Sequence, residues 1–326
     1  MSVKTRQDSA VEARLQALNK NWLALAREGK LEEAWYVSDE ALSMRARLDC
    51  SSWPRHHQFI WRGDPVVGKR VFVRCYHGLG DTIQFARFLP ELRKLAREIV
   101  LWAQPSLLPI LGTLRSGTDQ LLPLHDGVPD VDYDVDVELA ELMHVLRVTL
   151  RSVGTEAPYL LTEERAETPA RVRPMLRVGL VWRSGEWNGL RSIPCDVMRP
   201  LRNVPDVEWV LMQRGPGLAG WHNDFGHAPD MRGILDEARE LRSLDLLISV
   251  DTCSAHLAGA LGVPVWTLLP FDADWRWMSD HEDTPWYPTM RLFRQPRPGE
   301  WHQVIANVLA ELRSRAGRPN VSEALA

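Results

Sequence analysis

The stretch VFVRCYHGLGDTIQFARFL, residues 71–89, decides the fold. It opens on the apolar triplet Val71-Phe72-Val73 and passes through Tyr76-His77-Gly78-Leu79-Gly80-Asp81-Thr82. Ile83, Phe85, Phe88, Leu89, Leu92 and Leu95 then follow at helical spacing. An apolar run, a glycine-bearing loop and a 3.6-residue period read as strand, tight turn and helix. Ile99-Val100-Leu101-Trp102 gives the next strand, 107–111 a short helix and Gln120-Leu121-Leu122 a further strand. Residues 130–136 alternate charge with Val and Tyr, which predicts a half-exposed strand or loop, and 138–151 predicts a helix. Strands alternating with helices imply a parallel sheet covered on both faces.

Residues 162–174 are charged and contain Pro169 and Pro174, the best linker in the chain. Beyond them the alternation restarts. Strands are predicted at 178–182, 207–212, 244–250 and 263–266, helices at 235–241, 254–261 and 301–313, and a disordered tail beyond Gly317. Toward the N-terminus the pattern is purely helical. Leu15, Leu18, Trp22, Leu23 and Leu25 precede a break at Gly29-Lys30, and Leu31, Ala34, Trp35, Val37, Leu42 and Met44 follow it. This predicts one helical hairpin of the tetratricopeptide type. A single such unit cannot bury its apolar face alone, so it docks on the rest of the chain, on a second copy as a homodimer, or on a partner. The expected layout is a hairpin at 1–50, one Rossmann-like domain at 51–165, another at 170–298, and a helix and tail at 299–326.

Composition narrows the function classes. With 326 residues, two domains are expected. Hydrophobic residues at 45% and charged residues at 25% argue against wholesale disorder. A net charge of -4 argues against a nucleic-acid partner. No apolar run approaches the roughly 20 residues of a membrane span. The first residues carry Lys4, Arg6, Asp8 and Glu12 instead of a signal-peptide core, so a cytoplasmic location is expected. Cys50, Cys75, Cys195 and Cys253 form no CxxC pair, and each is expected as a buried thiol without zinc or disulfide.

Three strand ends carry chemistry. At the first, Gly78 and Gly80 let backbone approach a ligand, and Asp81 can offer a carboxylate as general base; its structural alternative is a helix cap. GxGxxG is absent, because no third glycine follows Gly78 and Gly80 in that pattern, which disfavours a nicotinamide or flavin enzyme. At the second, Ser249-Val250-Asp251-Thr252-Cys253-Ser254-Ala255-His256 runs from an apolar strand into a helix start, where a diphosphate binds well and a protonated His256 adds charge. The plainer alternative is a capped helix with a core histidine. At the third, Arg183, Arg191 and the Gln213-Arg214-Gly215 turn can neutralise phosphate oxygens, or form solvated loops. Trp275, Trp277, Trp286, Tyr287 and Trp301 crowd the last quarter, where core packing is the main expectation.

Several strings taken in order resemble a known family. They are Gly78-Leu79-Gly80-Asp81-Thr82-Ile83-Gln84-Phe85-Ala86-Arg87, Gly179-Leu180-Val181-Trp182, Arg191-Ser192, Asp251-Thr252 with His256-Leu257-Ala258-Gly259-Ala260-Leu261-Gly262, Asp274-Trp275-Arg276-Trp277, and Trp286-Tyr287-Pro288-Thr289-Met290-Arg291. Over roughly residues 60–310 they resemble the heptosyltransferase-like glycosyltransferases of the family 9 type, in particular the branch often fused to tetratricopeptide repeats. The resemblance implies an α/β GT-B fold, two Rossmann-like domains facing a cleft, and an inverting sugar transfer. The substrates it implies are a nucleotide sugar and a glycan or protein acceptor, with no metal and no cofactor. Asp81 matches the family's base, and Asp251, Thr252 and His256 its donor-diphosphate site. Arg191 falls near a basic phosphate-binding residue, usually Lys. Arg183, Gln213, Cys253 and Ser254 join the donor side, and His77, Gly78, Gly80 and Gln84 the acceptor side. Cys253 stands where the heptosyltransferases have Gly, and His77 where many repeat-fused relatives have another polar residue. Two rival readings are a nucleotide-sugar-binding scaffold without turnover and a sugar-nucleotide epimerase or hydrolase.

Overall fold

The computed structural model describes residues 6–45, 50–114, 117–153, 157–161, 175–222 and 224–316. The expected linker at 162–174 and the tail from 317 lie outside them. The chain forms two compact units. Met1–Thr155 with Asp274–His281 makes the first, and Glu156–Ala273 with Glu282–Ala326 the second. Each is an α/β unit built on one parallel sheet, and the N-terminal hairpin belongs to the first.

In the first unit, strands β1 (Arg70–Arg74), β2 (Glu98–Ala103), β3 (Gln120–Pro123) and β4 (Val135–Glu138) lie in the order β3-β2-β1-β4. Val71, Phe72 and Val73 are wholly buried, as expected for a strand covered on both faces. The residues read as a tight loop turn helical early: helix α3 spans Leu79–Phe85, so Gly80 and Asp81 lie in its first turn. The predicted helix at 138–151 is corrected. Glu138 instead ends β4, a 3-10 turn follows at Leu139–Glu141, and the helix is only Leu142–Val145. Arg147, with φ of 51°, stops the helical path.

The hairpin consists of α1 (Arg6–Arg27) and α2 (Leu31–Arg45). Gly29 turns it with φ of 75°, a conformation glycine adopts without strain, and Lys30 N–H closes the turn on Leu25 O. Of the docking surfaces open to the hairpin, its own unit covers its apolar face. Trp35 is buried, stacks on His144 at 5.7 Å and donates its Nε1–H to Val148 O at 2.7 Å. Trp22 meets Trp275 edge-on at 5.0 Å, and Ser279 N–H donates to Arg27 O. Asp39 accepts from Arg147 and lies 2.9 Å from His144 Nε2.

In the second unit, β5 (Leu176–Val181), β6 (Val207–Leu211), β7 (Leu246–Val250), β8 (Val265–Leu269) and β9 (Met290–Arg294) lie in the order β6-β5-β7-β8-β9, all parallel. The helix Trp301–Ala316 buries Trp301, Val304, Ile305, Val308 and Leu312 in the same core as Leu180 and Ile248. That spacing is one helical face. Two thiols depart from expectation: Cys50 and Cys75 are buried, but Cys195 and Cys253 are half-exposed. No helix among the described residues is long and apolar enough to cross a membrane.

Candidate functional site

In an open parallel sheet, a ligand finds room beyond the carboxyl ends of the strands where the winding reverses, because the connecting loops there diverge. The first sheet reverses between β1 and β4, and the second between β5 and β7. Candidate residues from the sequence gather at both points.

In the first unit, Arg74 of β1 is level with Glu138 of β4. Glu138 is 2% exposed, and its carboxylate accepts Tyr76 N–H at 3.2 Å and Ala140 N–H at 2.6 Å. The His77 Nδ1 lies 2.9 Å from it. Burial pulls the His77 pKa down, but the Glu138 carboxylate, helped by Asp81, outweighs it and holds the imidazole above its ordinary value. Gln104, just after β2, pins the loop: its Nε2 donates to Cys75 O and His77 O, and its Oε1 accepts from Thr82 Oγ1. At the start of α3, Asp81 Oδ2 accepts Gly78 N–H at 3.0 Å, which satisfies one of the donors a helix start leaves open. Asp81 Oδ1 accepts from Arg276 Nη2 at 2.7 Å. The same guanidinium donates to Gln84 Oε1 at 2.8 Å and to Asp274 Oδ1 at 2.8 Å.

Glu138, Gln104 and Arg276 are the residues that sequence reasoning missed as site residues. Glu138 could be found by ending the strand of 130–136 two residues later. Arg276 lies 195 positions from Asp81, and only its place in the Asp274-Trp275-Arg276-Trp277 string marked it.

Glu141 stands behind Glu138. Its Oε2 accepts Trp61 N–H at 2.9 Å and Glu138 N–H at 3.0 Å, and burial pushes its pKa up from 4.5 to about 7. A raised carboxyl pKa stabilises the fold below 4.5, and that contribution is lost as pH rises through about 7. Glu141→Gln keeps a neutral acceptor in place. With the side chain 17% exposed, the variant is expected to be more stable than the parent at about pH 8 by on the order of 2 kcal/mol. The gain should vanish by about pH 4. Melting curves across that range check it, and a difference independent of pH would refute the buried-acid account.

In the second unit, Trp182 and Arg183 leave β5, and both backbone N–H groups donate to Gln213 Oε1, at 3.1 and 2.8 Å. Gln213 therefore ties two strand ends together, while the Arg183 residue is exposed. Arg191 turns inward. Its Nη1 lies 3.3 Å from Asp251 Oδ2, and its buried Nε has no hydrogen-bond partner. Asp251, 5% exposed, follows β7. Thr252 caps the helix Cys253–Ala260 by accepting Ala255 N–H, and its hydroxyl lies 3.0 Å from Ser249 Oγ. Ser254 Oγ donates to Glu237 Oε1 at 2.5 Å, and Glu237 also pairs with Arg214. His256 is 2% exposed, with Nδ1 2.9 Å from Tyr287 OH and Nε2 3.6 Å from Asp251 Oδ1. It lies beneath the helix start, as in the core-histidine alternative. Gly259 makes room for this layer, since a Cβ there would lie 2.5 Å from the Tyr287 ring.

The sequence-derived residues thus form two groups, one per unit: His77, Gly78, Gly80, Asp81 and Gln84, and Arg191, Asp251, Thr252, Cys253, Ser254 and His256. Arg183 and Gln213 flank the second. The described residues contain no group of three or more His, Cys, Asp or Glu placed to hold a metal ion.

No family model matches the chain. It is 25% identical to Protein FlbA of Caulobacter vibrioides over 90% of its length, and it spans about half of that relative, 54%. Among solved structures it is similar to glycosyltransferase family 9 heptosyltransferases. A family 9 glycosyl transferase from Veillonella parvula is 13% identical, with 71% of this chain and 87% of that one covered and a TM-score of 0.47. The E. coli heptosyltransferase WaaC, solved with ADP-2-deoxy-2-fluoro heptose, is 12% identical, with 74% and 99% covered and a TM-score of 0.49. The iron-containing dodecameric glycosyltransferase TibC of enterotoxigenic E. coli is 14% identical, with 78% of each chain covered and a TM-score of 0.46.

Proposed function

We propose that this protein is an inverting glycosyltransferase that moves a sugar, hexosyl or heptosyl, from a nucleotide-diphosphate donor to an acceptor hydroxyl. The observation that carries the reading is the anion site after β7. There a capped helix start, the Thr252 hydroxyl and the unpartnered Arg191 Nε converge beside Asp251. Helix starts and guanidinium groups both favour phosphate oxygens. Asp81 serves as the base: it takes the proton of the acceptor hydroxyl as that oxygen bonds to the anomeric carbon. The bond from that carbon to the diphosphate oxygen breaks, and the nucleotide diphosphate leaves with the electron pair. Attack from the face opposite the leaving group inverts the anomeric centre. The helix start and Arg191 meet the departing charge in place of a metal.

The test is a thermal-shift panel of nucleoside diphosphates in EDTA, followed by NMR of the anomeric product. A diphosphate at about 100 times its dissociation constant stabilises by about 2.7 kcal/mol. A selective shift in EDTA and an inverted anomeric signal support the reading. The absence of a shift with every nucleotide overturns the donor site, and a retained configuration overturns the single displacement.

A further inference from the structure

A cavity of about 770 Å³ opens within the first unit, between the helical hairpin and the β1–β4 sheet. Its hairpin wall includes Leu18, Trp22 and Trp35, and Trp53 and Phe59 stand elsewhere in the lining. His77 and Glu138 also line it. His77 is one residue from Gly78, whose N–H is held by Asp81. The volume lies within the ~300–1,000 Å³ usual for ligand sites.

The lining decides what fits. Its strongest polar groups are already engaged. Glu138 and Glu141 accept backbone N–H groups, His144 lies on Asp39, and Gln58 Nε2 donates to Ser51 O and Trp53 O. Gln16, Asn19, Ser38, His56 and His57 add to the polar lining, scattered amide, hydroxyl and imidazole groups that can pair with the N–H and C=O groups of a peptide backbone. Among its lining residues there is no lysine and one arginine, Arg45, which lies 4.0 Å over the Phe59 ring and 3.9 Å from Glu141. A phosphorylated or acidic acceptor would therefore meet the carboxylates of Glu138 and Glu141, to which His77 and Arg45 are already paired. Aromatic and aliphatic faces remain, which suit apolar side chains.

We propose that this cavity holds the acceptor, an extended polypeptide segment with apolar and uncharged side chains, and presents its Ser or Thr hydroxyl toward Asp81. This rests on the transferase reading above. Ser38 and Gln16 line the cavity from the hairpin, so Ser38→Trp and Gln16→Trp each fill it. Gln16 is exposed, and its variant carries the test if Ser38→Trp fails to fold. The full chain is applied to arrayed Ser- and Thr-centred peptides with either aliphatic or acidic flanks, and to arrayed oligosaccharides. Aliphatic peptides are expected to be retained at least about tenfold better than acidic ones. Each filling variant should lose at least about tenfold of that retention while its nucleoside-diphosphate thermal shift is unchanged. Tyr36→Ser, on the hairpin but outside the lining, should change neither. Preferential retention of acidic peptides or oligosaccharides overturns the proposal. So does undiminished retention by the filled variants, or no retention beside an intact nucleotide shift. Retention that is lost on filling, in a protein that no nucleotide stabilises, upholds the cavity and overturns the transferase reading.

Discussion

Replacing Asp81 by Asn is expected to lower sugar transfer by about 10²–10⁴-fold, the range that a positioned base contributes. Nucleoside-diphosphate binding should stay as it is, because the residues proposed to hold the donor belong to the other unit. Two features make this variant informative. Asn has the shape of Asp, so the first turn of α3 keeps its packing. The carboxylate, however, accepts on both sides, from Gly78 N–H at one oxygen and from Arg276 Nη2 at the other. Asn has one acceptor and one donor, so one side becomes a donor facing a donor, at about 1–3 kcal/mol of stability. Transfer and melting temperature are therefore measured on the same sample. Full transfer by a protein that melts lower would remove Asp81 from the chemistry and leave it a helix-capping role. Arg276 bears on the base role too. An ionised carboxylate has about four acceptor positions, so an arginine on one oxygen does not by itself preclude proton uptake at another. Its partners Asp274 and Gln84 fix where that guanidinium points.

The strands around the site were legible because parallel strands covered on both faces are continuous apolar runs, as at Val71-Phe72-Val73 and 244–250. The hairpin was legible from its period and from the glycine at its break. Four kinds of feature were not. Leu139, Leu142, Val145 and Leu146 keep a helical period, yet Glu138 ends a strand and Arg147 leaves the helical region. Periodicity cannot register a terminus set by backbone dihedrals. The strand Met290–Arg294 carries Arg291 and Arg294 among its apolar residues, so it lacks a clean run. Long-range placement was invisible as well. Nothing local to Asp274–His281 assigns it to the first unit or sets Arg276 against Asp81. At the donor side the motif was readable, but the direction of each side chain was not. Arg191 and Arg183 looked equivalent in sequence, and only Arg191 turns in against Asp251.

That difference gives the second large effect. Arg191→Met keeps most of the aliphatic volume and removes the guanidinium. A charge-assisted hydrogen bond contributes about 1.5–3 kcal/mol, or roughly 10–100-fold in affinity. At a nucleoside-diphosphate concentration that stabilises the parent by about 2.7 kcal/mol, a 100-fold weaker variant gains only about 0.4 kcal/mol. A 10-fold weaker one keeps about 1.4 kcal/mol, so the shift in melting temperature should fall by about half or more. The substitution also takes a cation from Asp251, which is 5% exposed, so the ligand-free variant should melt lower than the parent. A second variant separates the two effects. In Arg191→Met with Asp251→Asn, the carboxylate no longer needs a counter-charge, and the ligand-free melting temperature should recover. The diphosphate shift should remain reduced, because the guanidinium proposed to meet the phosphate is still missing. A full shift in the single variant would show that the anion does not use Arg191. Recovery of the shift in the double variant would mean that Arg191 acts only by holding Asp251, and the contact with the departing diphosphate would then fall to the helix start at Thr252.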